Sequence, residues 1–178
     1  MFGVAGGLGV PWRELGLVFL SSIIVVFLIT GLIRKIAIRG GAMAIPRRRD
    51  VHVIPIPRWG GIGIFIGLVA GYVIVSNLPA LHNGFTFVPD LKAAMVGSCL
   101  IVILGIVDDR WGLDAVTKLL GQIVVASIMV VMGLSWTQIY VPFGGINNLV
   151  LDPWQAGFFT VLLVVAIINA VNFVDGLD

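Results

Sequence analysis

Five runs of apolar residues govern what this chain can become, each close to the roughly 20 residues that a membrane-crossing helix needs. They fall at about 15–33, 61–78, 91–107, 116–134 and 156–174. Lipid offers no partner for an unpaired backbone N–H or C=O, so each run is expected as a helix. Valine and isoleucine are abundant, but strands that alternate polar with apolar residues are absent, which argues against a barrel. The composition agrees: 59% of residues are hydrophobic and 11% charged, against about a quarter charged in soluble domains. The expected fold is an all-α polytopic membrane protein with about five transmembrane helices, a single membrane domain over residues 1–178. The first ten residues are Gly-rich and carry no base. The first run is therefore expected to stay as a helix rather than be removed with a signal peptide. Cys99 is the single cysteine, so no internal disulfide framework exists.

Orientation follows from the basic residues. Arg34, Lys35, Arg39, Arg47, Arg48, Arg49 and Arg58 separate the first two runs, and Arg110 and Lys118 lie between or at the ends of the third and fourth. The opposite side carries only Arg13 and Lys92. Nine against two is a strong positive-inside bias, so the N-terminus is expected outside and the long basic loop in the cytoplasm. Residues 76–90 and 135–153 then face outward. The second contains Gly144-Gly145 between short β-prone runs and is expected to form a small external β-hairpin. Trp136, Tyr140 and Trp154 flank helix ends as interfacial aromatics do.

The same topology brings the chemistry-bearing residues to one face. The third run ends on Asp108-Asp109-Arg110. Adjacent helical residues point about 100° apart, so one carboxylate would face a site while the other holds a cation or a partner helix. Gly112 predicts that the helix ends there. Read without function, the pair is a solvated helix end offset by Arg110. At the end of the fifth run Asn169, Asn172, Asp175 and Asp178 recur every three residues along one polar stripe, which on an otherwise apolar helix must face protein or water. Carboxylate and amide oxygens suit Mg²⁺ held together with substrate phosphates; the alternative is hydrogen bonding between helices by the asparagines.

The basic loop supplies the third element. Pro55 and Pro57 stiffen it before Arg58 and the pair Gly60-Gly61, where a helix starts. A helix N-terminus with free amides beside an arginine is suited to phosphate. His52 alone is a weak signal, and Arg47–Arg49 would serve topology without any further role. Lys118 and Gln122 share a helical face; Lys118 reads equally as a phosphate ligand or as a snorkelling anchor.

In order, His52-x-x-Pro55-x-Pro57-Arg58-x-Gly60-Gly61, Gly105-Ile-Val-Asp108-Asp109-Arg110, Lys118…Gln122 and Asn169-Ala-Val-Asn172-Phe-Val-Asp175-Gly-Leu-Asp178 resemble the polyprenyl-phosphate N-acetylhexosamine-1-phosphate transferases, glycosyltransferase family 4. The resemblance spans nearly all of the chain from Arg47 on. The Pro-Ile-Pro-Arg-Trp-Gly-Gly segment is closer to the WecA-like UDP-GlcNAc:undecaprenyl/decaprenyl-phosphate GlcNAc-1-phosphate transferases than to the phospho-MurNAc-pentapeptide transferase MraY, which remains the alternative.

The resemblance implies a partial MraY/WecA-like fold in the bacterial plasma membrane, with its active site on the cytoplasmic face. It implies transfer of GlcNAc-1-phosphate from UDP-GlcNAc to a membrane polyprenyl phosphate with release of UMP, the first step of lipid-linked cell-envelope glycan synthesis. Mg²⁺ is the implied cofactor, with Mn²⁺ as the alternative ion. Asp108 and Asp109 are the implied catalytic residues, and His52, Arg58, Gly60, Gly61, Lys118 and Asn172 bind substrate. Asp175 and Asp178 bind metal. The implied partners are a UDP-sugar and a lipid phosphate, with no role for nucleic acid; a homodimer stays open. Members of the family continue beyond the position of Asp178 with further helices, so the chain is expected to be an amino-terminal fragment without activity of its own.

Other classes fit less well. An ion-coupled transporter favours acidic residues near the bilayer midplane. A prenyltransferase with Asp-rich motifs does not explain the Pro-x-Pro-Arg-x-Gly-Gly loop. A structural membrane subunit does not predict carboxylates converging on a basic loop.

Overall fold

The computed structural model describes residues 12–44, 55–78, 81, 89–140 and 148–175. Among the described residues, five helices, α1 (Trp12–Arg39), α2 (Gly60–Asn77), α3 (Pro89–Trp111), α4 (Ala115–Val131) and α5 (Pro153–Asp175), match the five apolar runs. Two short antiparallel ribbons join them: β1 (Met43–Ala44) with β2 (Ile56–Pro57), and β3 (Gln138–Tyr140) with β4 (Asn148–Val150). Four of the helices are long and apolar enough to cross a membrane; α4 is shorter.

Several helix ends depart from the apolar runs, and at α1 and α4 the chain shows why. α1 continues through Arg34, Lys35 and Arg39, which the sequence placed in a loop, because nothing in those last turns breaks a helix before Gly40 and Gly41. α4 stops at Val131 rather than 134. Gly133 adopts φ +107° there, and the Leu134 N–H turns back to the Met129 carbonyl at 3.0 Å, an ending that needs a glycine.

Each helix packs chiefly on its chain neighbours, α1 on α2, α2 on α3, α3 on α4 and α4 on α5. In lipid there is no hydrophobic drive between helices, so close approach of small residues matters. The α1–α2 contact shows it: Gly63, Gly67 and Gly71 are buried one turn apart along α2, and a methyl at Gly71 would come within 2.8 Å of Ser22 Oγ. On α3 and α4, a methyl at Gly121 would meet Leu104 at 2.8 Å. Large apolar side chains point outward instead, Phe27 being 80% exposed, as a lipid-facing surface requires.

The β3–β4 ribbon is the expected hairpin, its register set by Gln138↔Val150, Ile139↔Leu149 and Tyr140↔Asn148. Its turn, with Gly144-Gly145, lies outside the described residues. The Trp136 N–H donates to the buried Thr160 hydroxyl at 2.8 Å, which ties the ribbon to the first turns of α5. That leaves the opposite end of the bundle for the C-termini of α1, α3 and α5 and the N-termini of α2 and α4. Among the described residues, Arg58, Gly60, Gly61, Asp108, Asp109, Lys118 and Asn172 belong there.

Candidate active site

The aspartate pair lies within the last turn of α3, which runs on through Trp111 and is closed by Gly112 at φ +68°. Being successive on a helix, the two side chains diverge. Asp108 faces α4: its Oδ2 lies 2.7 Å from Lys118 Nζ, and its Oδ1 accepts from the Leu113 N–H at 3.0 Å. Asp109 faces the start of α2, with Oδ1 3.6 Å from Arg58 Nη1. The backbone N–H of Trp59 is turned toward the same carboxylate. A helix C-terminus is the negative end of the macrodipole, so two carboxylates are disfavoured there. One cation on each side offsets them. Arg110 takes no part in either pair and lies over the Trp111 ring at 5.9 Å.

Arg58 is set in place by backbone geometry. β2 pairs with β1, and the Arg58 N–H donates to the Ala42 carbonyl at 2.9 Å. This closes the base of the basic loop against the end of α1. Trp59 then turns the chain into α2 with φ 72°. Gly60 and Gly61 open the helix, and a methyl at either would meet nothing within 4 Å, so packing within the described residues does not demand glycine. What the two glycines leave is an uncovered helix N-terminus beside a half-exposed arginine.

On the other side, Gln122 sits one turn along α4 from Lys118 and is only 1% exposed. Its Oε1 accepts from Asn169 Nδ2 at 2.6 Å, and the same Nδ2 lies 2.8 Å from the Val165 carbonyl. Asn169 therefore bridges helices. This contact also sets the direction of the polar stripe: from Asn169 onward, α5 runs toward the end of α4 that carries Lys118. Asn172 is exposed on that stretch, and Asp175 is the last residue of α5. His52, Asp178 and Arg47–Arg49 lie outside the described residues. Among the described residues, no three His, Cys, Asp or Glu side chains gather closely enough to hold a metal ion.

Two contributors were not foreseen from the sequence. Asp114 is the N-cap of α4, its carboxylate accepting from the Val116 and Thr117 N–H groups at 3.1 and 3.0 Å and from the Thr117 hydroxyl. The Thr117 hydroxyl first, and then its N–H, hold the Asp114 carboxyl below the usual carboxylate range. An Asp immediately before a new apolar run is a readable helix-start signal. Trp59 is the other. Its left-handed backbone carries no signal in the sequence, since that conformation is expected at glycine.

A helical membrane frame with an acidic helix end clasped by Arg and Lys on one face defines a class of protein, and the comparisons place it. Residues 91–178 match the model of glycosyl transferase family 4. It is 50% identical, over 97% of its length, to the decaprenyl-phosphate N-acetylglucosaminephosphotransferase of Mycolicibacterium smegmatis, of which it covers 42%. To the protein of the same description from Mycobacterium tuberculosis it is 48% identical over 99% of its length, covering 46%. It is 39% identical over 90% of its length to the probable undecaprenyl-phosphate N-acetylglucosaminyl 1-phosphate transferase of Bacillus subtilis, covering 42%. The chain thus spans less than half the length of these relatives. No solved structure matches it.

Proposed function

We propose that this chain supplies the amino-terminal part of an enzyme that transfers GlcNAc-1-phosphate from UDP-GlcNAc to a membrane polyprenyl phosphate. A phosphate oxygen of the lipid attacks the β-phosphorus of the donor. The bond from that phosphorus to the bridging oxygen breaks, UMP leaves, and a lipid diphosphate sugar remains. The observation that carries this reading is the divergence of Asp108 and Asp109 toward Lys118 and Arg58 on two neighbouring helices. It sets an anionic helix end between two cations at the face where α2 presents its N-terminus. The acceptor phosphate is largely ionised at neutral pH, its second pKa being about 6, so the reaction needs positioning and charge compensation more than a base.

In this reading Arg58, the amides at Gly60 and Gly61, and Lys118 offset phosphate charge, while Asn172 and His52 contact the donor. Asp108 has both oxygens engaged and orients Lys118. Asp109 holds one long ion pair and the Trp59 amide, and the remaining lone pairs of its carboxylate are hard donors that fit Mg²⁺. Asp109 would share that ion with Asp175 and Asp178; Mn²⁺ is the alternative. The bound ion would neutralise diphosphate charge and orient it. The positive-inside bias supports a cytoplasmic position for this face. A proton-relay transporter is disfavoured because the carboxylates sit in the last turn of α3 rather than at midspan.

The relatives are more than twice as long as the chain, so the 178 residues alone are expected to be inactive. The reading is tested with the full-length protein in membranes, supplied with UDP-GlcNAc, polyprenyl phosphate and Mg²⁺. Release of UMP is expected, falling by about a hundredfold or more in Asp109→Asn. Wild-type release from Asp109→Asn would reject the site.

A further inference from the structure

Trp59 carries two structural costs at once. Its φ of 72° lies where a side chain is disfavoured, and its indole Nε1 is buried without a hydrogen-bond partner among the described residues. Such a residue persists only where its surroundings over-determine it. The surroundings here are specific. The ring lies against Gly40, just past the end of α1, where a methyl would come within 2.8 Å of it. The backbone on one side is Arg58, held to the Ala42 carbonyl; on the other side α2 begins. Trp59 therefore joins the end of α1, the start of α2 and, through the amide turned to Asp109, the end of α3.

We infer that Trp59 is a positioning residue for the Arg58–Asp109 pair, its ring seated on Gly40 fixing the direction from which Arg58 approaches the carboxylate. The role rests on the proposed phosphoglycosyl transfer, since it serves that site. Glycine at position 59 would relieve the backbone strain and keep the amide, but would free the turn to rotate. Phenylalanine would keep a ring on Gly40 and remove the buried N–H. The side chain, and not the backbone conformation alone, is what the site requires.

The test uses the full-length protein and four variants: Gly40→Ala, Trp59→Gly, the two combined, and Trp59→Phe. Gly40→Ala and Trp59→Gly are each expected to lower kcat for UMP release by about tenfold or more, with the protein still folded and KM for UDP-GlcNAc near wild type. The double variant should lose no more than Trp59→Gly, because the added methyl has no ring to displace. Trp59→Phe should retain most of the turnover. Wild-type kcat in Gly40→Ala, losses that multiply in the double variant, or a Trp59→Phe as impaired as Trp59→Gly would overturn the inference.

A readout independent of turnover separates this from the functional reading. In a Cys99→Ala background stripped of other cysteines, Arg58→Cys and Asp109→Cys should be joined efficiently by a short bifunctional thiol reagent. Adding Gly40→Ala should reduce that joining, and unchanged cross-linking would overturn the inference even if the wild type released no UMP.

Discussion

Lys118 Nζ lies 2.7 Å from Asp108 Oδ2, so the first carboxylate of the pair is bound to the next helix and the second is left to face Arg58. The Asp108–Lys118 pair clamps the end of α3 to the start of α4, while the Arg58–Asp109 pair is longer and more accessible. Lys118→Ala is expected to destabilise the protein by about 1 kcal/mol, since it leaves a part-buried carboxylate at the negative end of a helix. Thermal unfolding in detergent measures it, and a double-mutant cycle with Asp108→Asn should show that the two losses are not additive.

The Gln122–Asn169 bond predicts an asymmetric pair of losses. Asn169→Leu leaves a fully buried Gln122 amide unpaired, at about 1–2 kcal/mol. Replacing both residues with Leu removes the orphaned group and should recover part of that stability. Thermal midpoints of Asn169→Leu and of the double variant decide it: a double variant less stable than the single one would contradict the pairing.

Gly67 packs directly on Val26 of α1. Gly67→Ala pushes a methyl into that side chain and should cost about 1–3 kcal/mol. Val26→Ala in the same protein should restore part of the loss by making room. The pair of thermal midpoints checks both halves of the statement.

The frame was legible because lipid restricts composition so strongly: the five runs could only be helices. The pairing of β3 with β4 was expected from Gly144-Gly145 between β-prone residues. The β1–β2 ribbon was not legible, since two-residue strands such as Met43–Ala44 carry no periodicity. In the site, the divergence of Asp108 and Asp109 follows from helix geometry. Their partners do not, because periodicity assigns faces and not neighbours. Gln122 and Asn169 are 47 residues apart, and Asn169 takes the interhelical bond that the sequence had offered only as the alternative reading. Trp59 was not legible because a left-handed backbone is expected at glycine, and Gly60-Gly61 stand directly beside it.

Asp114 gives a pH dependence with a definite sign. Its carboxyl is held below its ordinary value in the folded protein, chiefly by the Thr117 hydroxyl. The cap therefore contributes stability above the unfolded carboxylate pKa of about 3.9, and that contribution is lost as pH falls through the lower folded value. Asp114→Ala should be less stable than wild type at neutral pH, with the gap narrowing under strong acid. Thermal midpoints of the two proteins across pH 2 to 7, read as about one point per unit, test this; a gap that widens in acid would contradict it.

UMP release from UDP-GlcNAc by sealed vesicles of opposite orientation tests most directly whether Arg58, Asp109 and Lys118 form one active face. The donor cannot cross the membrane, and orientation is read by labelling Trp111→Cys, an exposed position at the end of α3, with an impermeant thiol reagent. The full-length protein is expected to release UMP only from vesicles whose Cys at position 111 is labelled from outside, and to lose that release in Asp109→Asn. Release from the opposite orientation, or release in Asp109→Asn at the wild-type rate, would contradict the assignment.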